Sequence, residues 1–346
     1  MDNFKKTLAD VEGAVKKGIS TSNEVWGNTN SSTALTVRQD LSADIVNLGN
    51  RNTPFRDMVT KAPGQGAAFT FNTKKSLFMP GDNTSPREVF YADGGLPTMR
   101  STQYGTTTVA YKAIGYEGEV TGLAQASGES IVDLYATEVE STSRRVIQAL
   151  EWLSFWSTTT DLNTGGLGGF PGLDSLITTN VIDAAGAPIS KALIDKAIKR
   201  IISYGGQPTH IFASNGITAD INNLYNSYAQ VLVSNVDQAN LTYGFNVPNI
   251  MTAAGVQKVV PDFFLNPANT YPSSNGTSSY PAGATSSTVF ILAMPFIKVK
   301  VLKAIGMEEL GRVADKRSFF VNEYSGIELT AEPWCAKIIN VLEQTL

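Results

Sequence analysis

Apolar and polar positions repeat along this chain with two different periods, and the longest regular run is helical. Between residues 127 and 156, apolar side chains recur at Ile131, Leu134, Tyr135, Val139, Val146, Leu150, Leu153 and Trp156, with Thr142 keeping the rhythm. Steps of three and four place them on one face of a helix. No proline interrupts the run, and its one glycine, Gly128, lies near the start. Ser127 or Ser130 would cap the N-terminus, and Glu129, Asp133 and Glu138 lie early, where the helix dipole favours negative charge. About thirty residues at a rise of about 1.5 Å would span roughly 45 Å, longer than the usual helix of a compact domain. The pattern predicts a spine helix. It is either the core helix of an ordinary α+β domain or the long axis of a flat subunit, with Glu140, Ser143 and Arg144 on the opposite face.

The second period is two. Residues 67–73 alternate with Phe69 and Phe71 on one side, and residues 106–113 are their expected partner strand. Between them lie about thirty residues rich in Pro, Gly, Asp and Asn. A connection that long is usually functional or disordered, but Phe78, Met79, Val89, Phe90, Tyr91, Leu96 and Met99 give it too much apolar surface for plain disorder. The stretch reads as a two-stranded projection whose tip packs outside its own subunit, with Phe78, Met79, Phe90, Tyr91 and Met99 as the contact residues.

Upstream, Phe4, Leu8, Val11 and Val15 form a short stripe flanked by lysines, suited to a surface helix of an arm or to docking on a partner or membrane surface. Residues 27–33 read as a linker. Leu41, Ile45 and Leu48 have helical spacing, and Pro54 with Phe55 look like the anchor where an extended arm meets the body. Downstream of the spine, residues 164–172 hold five glycines. They follow a helix, lack the G-x-G-x-x-G spacing and have no Lys-Ser/Thr behind them, so they form an exit loop instead of a phosphate cradle.

Residues 175–295 read as an α/β module. Residues 190–204 form an amphipathic helix with Ile194, Ala197, Ile198 and Ile201 on one face and Gly205 as its stop. Residues 209–213 are a buried strand, and Ser214 or Asn215 caps a second helix that turns Ile217, Ile221, Leu224 and Tyr225 inward. Strands are expected at 256–260 and at 288–293, the latter apolar enough to be central. Residues 296–302 alternate, and further strands at 318–324, 326–330 and near 334–342 have no helices between them. They are antiparallel candidates for packing along the spine.

Composition narrows the function. The 346 residues are 42% hydrophobic and only 17% charged, with a net charge of −4. This suits a surface consumed by contacts with copies of itself or a β-rich secreted protein, and it offers no field to attract nucleic acid. The single cysteine, Cys335, excludes an internal disulfide and a cysteine-rich zinc site. No signal-peptide layout or membrane-length apolar run occurs. The lone histidine, His210, sits in a strand pattern and suits a core or strand-end position better than a triad. Cys335 beside Trp334 reads as a small buried residue. Residues 306–313 begin like a P-loop but put Arg312-Val313 where Lys-Ser/Thr is required, and Glu308 and Glu309, adjacent on a helix, would diverge by about 100°. The residues point to no catalytic, cofactor or metal site.

The order of parts then carries a resemblance. An arm, a long two-stranded loop, a long helix, a Gly-rich exit, an α/β module and returning antiparallel strands resemble the major capsid proteins of tailed bacteriophages, with the Hong Kong 97 type of fold. Residues 208–225 (PTHIFASNGITADINNLY) and the C-terminal run from Met307 (MEELGRVADKRSFFVNEYSGIELTAEPWCAKIINV) look like its axial-domain step and its closing strands. The likeness covers residues 35–346. It implies an α+β fold divided into an N-arm at 1–61, an E-loop at 62–117, the spine helix of the P-domain at 118–163, an A-domain at 164–295 and P-domain strands at 296–346. It also implies a non-enzyme that assembles with copies of itself, as hexamers and pentamers, into the icosahedral shell of a virion in the host cytoplasm. Portal, scaffolding and decoration proteins and non-specifically held double-stranded DNA would be its partners, with no cofactor and no membrane. Some members of the family crosslink an E-loop lysine to a neighbour's asparagine. Lys74 and Lys75 lie at the base of the loop here, but nothing singles out a partner, and that activity is not carried over. The alternatives are an encapsulin-like compartment shell, another virion protein of the tail or decoration type, and an enzyme using a carboxylate or lysine.

Overall fold

An aspartate, not a serine, starts the spine helix. The computed structural model describes residues 51–75, 80, 86–128, 133–159, 168–226, 249–265, 286–312 and 314–344. The expectations for the N-terminal stripe, for 27–33, for 41–48, and for Glu129, Ser130, Ile131, Phe78 and Met79 lie outside the described residues. Elements are numbered in chain order. A short helix α2 (Gly122–Gly128) precedes the spine α3 (Leu134–Trp156). Asp133 is its cap and accepts from the amides of Tyr135 (3.1 Å) and Ala136 (3.2 Å). The Ala136 amide, then Gln125, hold its carboxyl below the usual range. Ser127 belongs to the preceding helix, where its hydroxyl donates to the Ala124 carbonyl. At 23 residues the spine spans roughly 35 Å, shorter than the sequence pattern suggests.

The inner face of α3 lies on a four-stranded sheet in the order β1 (Thr60–Pro63), β10 (Ile297–Glu309), β11 (Lys316–Leu329), β4 (Lys112–Thr121). β1 runs parallel to β10, and the other pairs are antiparallel. Val146 and Leu150 of α3 pack on Phe319 and Val321 of β11. Gly118 of β4 allows the close approach, because a Cβ there would collide with the Phe319 ring and meet the Thr142 hydroxyl at 3.0 Å. The strands expected at 318–324 and 326–330 are one strand. Gly326, expected to begin the second of them, stays in register opposite Lys300 within the continuous strand.

A six-stranded sheet follows in the order β5 (Val181–Asp183), β12 (Ala336–Leu342), β9 (Ser286–Leu292), β6 (His210–Ala213), β8 (Gly255–Pro261), β7 (Asn249–Thr252). Helices α5 (Lys191–Ser203) and α6 (Asn215–Asn226) accompany it, the short α4 (Leu173–Leu176) leading in. Ser190 caps α5, and Ile194, Ala197, Ile198 and Ile201 are fully buried as the pattern requires. The Ser214 hydroxyl accepts from the Ile217 amide at the start of α6. β9 and β6 are buried on both faces. Val289, Ile291 and Ile211 point into the core with α5 and α6, while Phe290, Leu292 and Phe212 point into a second core with Phe155 from the end of α3. Period-two geometry divides one apolar run between two cores.

The last strand departs from expectation. β12 does not return to the spine: it pairs with β9 and β5 inside the six-stranded sheet, and the Lys337 ammonium binds Asp174 at 2.7 Å. Antiparallel character was readable locally, but the choice between two available sheets was not. Glu308 and Glu309 also lie on a strand, not a helix, and pair with Lys303 and Arg317.

Candidate assembly surface

The projection begins with β2 (Ala68–Lys75) and β3 (Gln103–Ala110), which form a two-stranded sheet of their own. Alternation gives its faces different chemistry. Phe69, Phe71 and Val109 make a small apolar cluster with Tyr111. Phe69 reaches the outer face of β11 over Gly326, where a Cβ would stand 2.9 Å from its ring. The other face carries a polar ladder: Thr70 with Thr108 at 3.0 Å, Asn72 with Thr106 at 3.0 Å, and Lys74 opposite Tyr104. The root is thus fixed to the body by aromatic packing.

Beyond the root the apolar residues face outward. Phe90 is 86% exposed, Leu96 92% and Met99 93%, and Val89, Tyr91 and Tyr104 are each more than half exposed. Of the five expected contact residues, Phe90, Tyr91 and Met99 lie on this surface. Val89, Leu96 and Tyr104 join them. The first two were visible as apolar residues in a polar loop. Tyr104 fell in the expected loop, just before the strand expected at 106–113, and its outward direction follows only from the register. The Glu88–Arg100 ion pair ties the two limbs of the stretch together.

A second constellation sits around residues 54–58. Pro54 opens helix α1 (Pro54–Met58), and Phe55 is fully buried between Phe155 and Phe212, at ring distances of 5.0 and 5.7 Å. The amides of Phe55 and Arg56 donate to the two oxygens of Glu151 at 2.7 and 2.9 Å. The Arg56 guanidinium forms an ion pair with Glu323 of β11. Asp262, in the turn after β8, accepts from the Phe264 amide at 2.9 Å and also meets the Glu151 carboxyl. All four ionisable side chains are buried. Burial first, then the adjacent Asp262 carboxylate, pushes the Glu151 carboxyl up to about 9, and burial also raises Asp262. Sequence reasoning missed this junction because a glutamate in a helix and an arginine after a proline read as surface residues.

The remaining candidates have local explanations. His210 stands at the start of β6, half-buried, with Nδ1 2.8 Å from the Thr209 hydroxyl, and burial and Lys258 depress its pKa. Cys335 is fully buried, and burial pushes its thiol up to about 12. Gly169 and Gly172 pass close to the end of α3, and the Gly172 amide donates to the Ser157 carbonyl at 2.7 Å. A cleft of about 260 Å³ near the start of α3 is lined in part by Arg312 and Arg317. Both guanidinium groups are engaged, with Asp315 and Glu309 respectively, and Arg317 also stacks over Tyr135. Among the described residues no three His, Cys, Asp or Glu side chains gather as metal ligands, and no helix is long and apolar enough to cross a membrane.

Comparison with known proteins now adds to the geometry. The chain is 27% identical over 263 residues to a candidate major capsid protein of Enterococcus phage phiEF24C; the match takes in 73% of this chain and 54% of that protein, about half its length. Its structure is similar to the Cyanophage A-1(L) capsid asymmetric unit, with a TM-score of 0.64 at 12% identity, covering 88% of this chain and 97% of the other. A structure from Mycobacterium phage Ogopogo gives 0.61 at 9% identity over 89% and 98%. The holo-SrpI encapsulin complex of Synechococcus elongatus PCC 7942 gives 0.57 at 8% identity over 89% and 94%. These likenesses establish the Hong Kong 97 type of fold. The model of the SU10 major capsid protein family matches residues 21–342, and the chain belongs to that family.

Proposed function

We propose that this chain builds the icosahedral head shell of a tailed bacteriophage around double-stranded DNA, from hexamers and pentamers of itself. One observation carries the reading: a stretch with a fixed root displays six large apolar side chains to water. Singly exposed apolar residues are ordinary, whereas a contiguous group marks a contact surface. Val89, Phe90, Tyr91, Leu96, Met99 and Tyr104 would lie against a neighbouring copy, together with Phe78 and Met79 of the same stretch. The contact would be heterologous, one face meeting a different face of the next copy, and several such contacts per subunit would add through avidity.

In this reading the two-stranded projection is the E-loop. The spine α3 with β1, β10, β11 and β4 is the P-domain, the six-stranded sheet with α5 and α6 is the A-domain, and the segment before α1 is the N-arm. β12 carries the A-domain past the boundary at residue 296. The role is structural, with no catalytic residue, cofactor or metal assigned. Portal, scaffolding and decoration proteins would be further partners, DNA would be held without sequence preference, and assembly would take place in the host cytoplasm. The likeness to an encapsulin complex supports a second reading, a shell with protein cargo, and the match to a capsid family favours the first.

Deleting residues 78–100 and closing the hairpin between β2 and β3 tests the proposal. Circular dichroism should report a folded protein, and negative-stain microscopy should show none of the shells, sheets or tubes formed by the intact chain. Normal shells from the deletion would refute the role given to the projection.

A further inference from the structure

We propose that Glu151 and Asp262 form a proton-dependent clamp that fastens the root of the arm to the spine helix, closed while the two carboxyls share one proton and loosened when that proton leaves to solvent. The geometry is of three elements meeting at one buried point. Glu151 of α3 holds the first amides of α1, those of Phe55 and Arg56, at 2.7 and 2.9 Å. On its other side it meets Asp262, whose Oδ1 is engaged by the Phe264 amide and whose Oδ2 is buried without a hydrogen-bond partner. The Glu151 carboxyl stands beside it, and a proton on that carboxyl would supply the missing donor. With that proton in place, Asp262 gains a donor and the pair carries one negative charge. Without it, two carboxylates stand side by side in a buried site, an arrangement that proteins avoid by keeping one of them protonated.

The surrounding charges do not relieve this. On α1, Arg56 is committed to Glu323, and Asp57 is exposed. On β11, Glu323 is a further carboxylate, with one oxygen buried and unpartnered. Beside the Asp262 turn, Arg51 stacks its guanidinium over Phe263, 3.7 Å from the ring centre. The raised position of both carboxyls agrees with a retained proton. Opening α1 would hydrate Glu151 and return it to its ordinary acidity. The clamp is independent of the assembly reading and would hold for a monomer.

The test is hydrogen exchange of the full-length chain, following the amides of 53–59 between about pH 6 and about pH 9 after correction for intrinsic rates. Opening should become more frequent by up to about tenfold per pH unit, the slope for one proton retained by the closed form. Asp262→Asn puts an amide donor where the shared proton lies and keeps the acceptor for the Phe264 amide, so its profile should be shallower than the wild type's, with burial of Glu151 alone still acting. Asp57→Asn, exposed on the same helix, should keep the wild-type slope. A flat wild-type profile, or an Asp262→Asn profile as steep as wild type, overturns the clamp. Should Asp262→Asn not fold, infrared spectroscopy of the wild type decides. A protonated carboxyl C=O band at neutral pH that disappears in alkali supports the clamp, and its absence at neutral pH overturns it.

Discussion

Two apolar stretches of this chain have opposite fates. Residues 288–293 (TVFILA) are buried on both faces of β9, whereas Val89, Phe90, Tyr91, Leu96, Met99 and Tyr104 stand in water. Hydrophobicity does not separate them. The first is a short run bounded by partners within the chain: β6 and β12 on its edges, α5 and α6 over one face, the end of α3 over the other. The second is interrupted by Asp93, Gly94, Gly95 and Pro97 and, among the described residues, is attached at its root, where Phe69 lies over Gly326. The first stretch completes its own core. Under the proposed function, the second leaves its apolar area to be covered by another copy.

That contrast breaks down most visibly in the buried run. Phe290→Ala removes a ring that packs against Phe155 at 5.3 Å and Trp156 at 5.8 Å, and should cost about 3–5 kcal/mol in denaturant unfolding. Arg56→Met should rank close behind, at roughly 3 kcal/mol, because Glu323 is left buried without its cation. A loss under about 1 kcal/mol would show that the junction is wetter than its burial indicates.

The pH dependence should be intermediate in size. Glu151 has its folded pKa raised, to about 9, above its ordinary value of 4.5. The folded state therefore holds the proton more tightly, and this contribution is complete below about pH 4.5 and is lost as pH rises towards about 9. Stability should fall across that window in the wild type and fall less in Asp262→Asn, as thermal melts at a series of pH values would record. At the small end, Arg144→Ala breaks the exposed Glu140–Arg144 pair on the outer face of α3 and should change stability by roughly 0.3–0.5 kcal/mol. A large effect would mean that this face is covered.

Much of the fold was legible because its local signals agree. Ser190, the Ile194–Ile201 stripe and Gly205 define α5 without tertiary information, and the alternation about Phe69 and Phe71 located the root of the projection within a few residues. What was not legible depended on distant parts of the chain. Several residues near the start of the spine were adequate caps, and Asp133 took the role once α2 had claimed Ser127. Gly326 reads as the start of a separate strand until Phe69 is placed above it. β12 could join either sheet. The polar junction was invisible for a related reason: Arg56, Glu151, Asp262 and Glu323 are far apart in sequence, and each alone resembles a solvated charge. On the candidate surface, exposure of Tyr104 required the β2–β3 register.

The central claim is that the 89–104 surface is built for another copy and contributes nothing to the fold of its own. The direct measurement is a triple substitution, Phe90→Ser with Leu96→Ser and Met99→Ser, compared with the wild type by thermal unfolding and by light scattering of the concentrated protein. The account predicts unfolding within about 0.5 kcal/mol of wild type and loss of the large scattering species. A variant that still assembles like the wild type, or one that unfolds because its own core has been damaged, would contradict it.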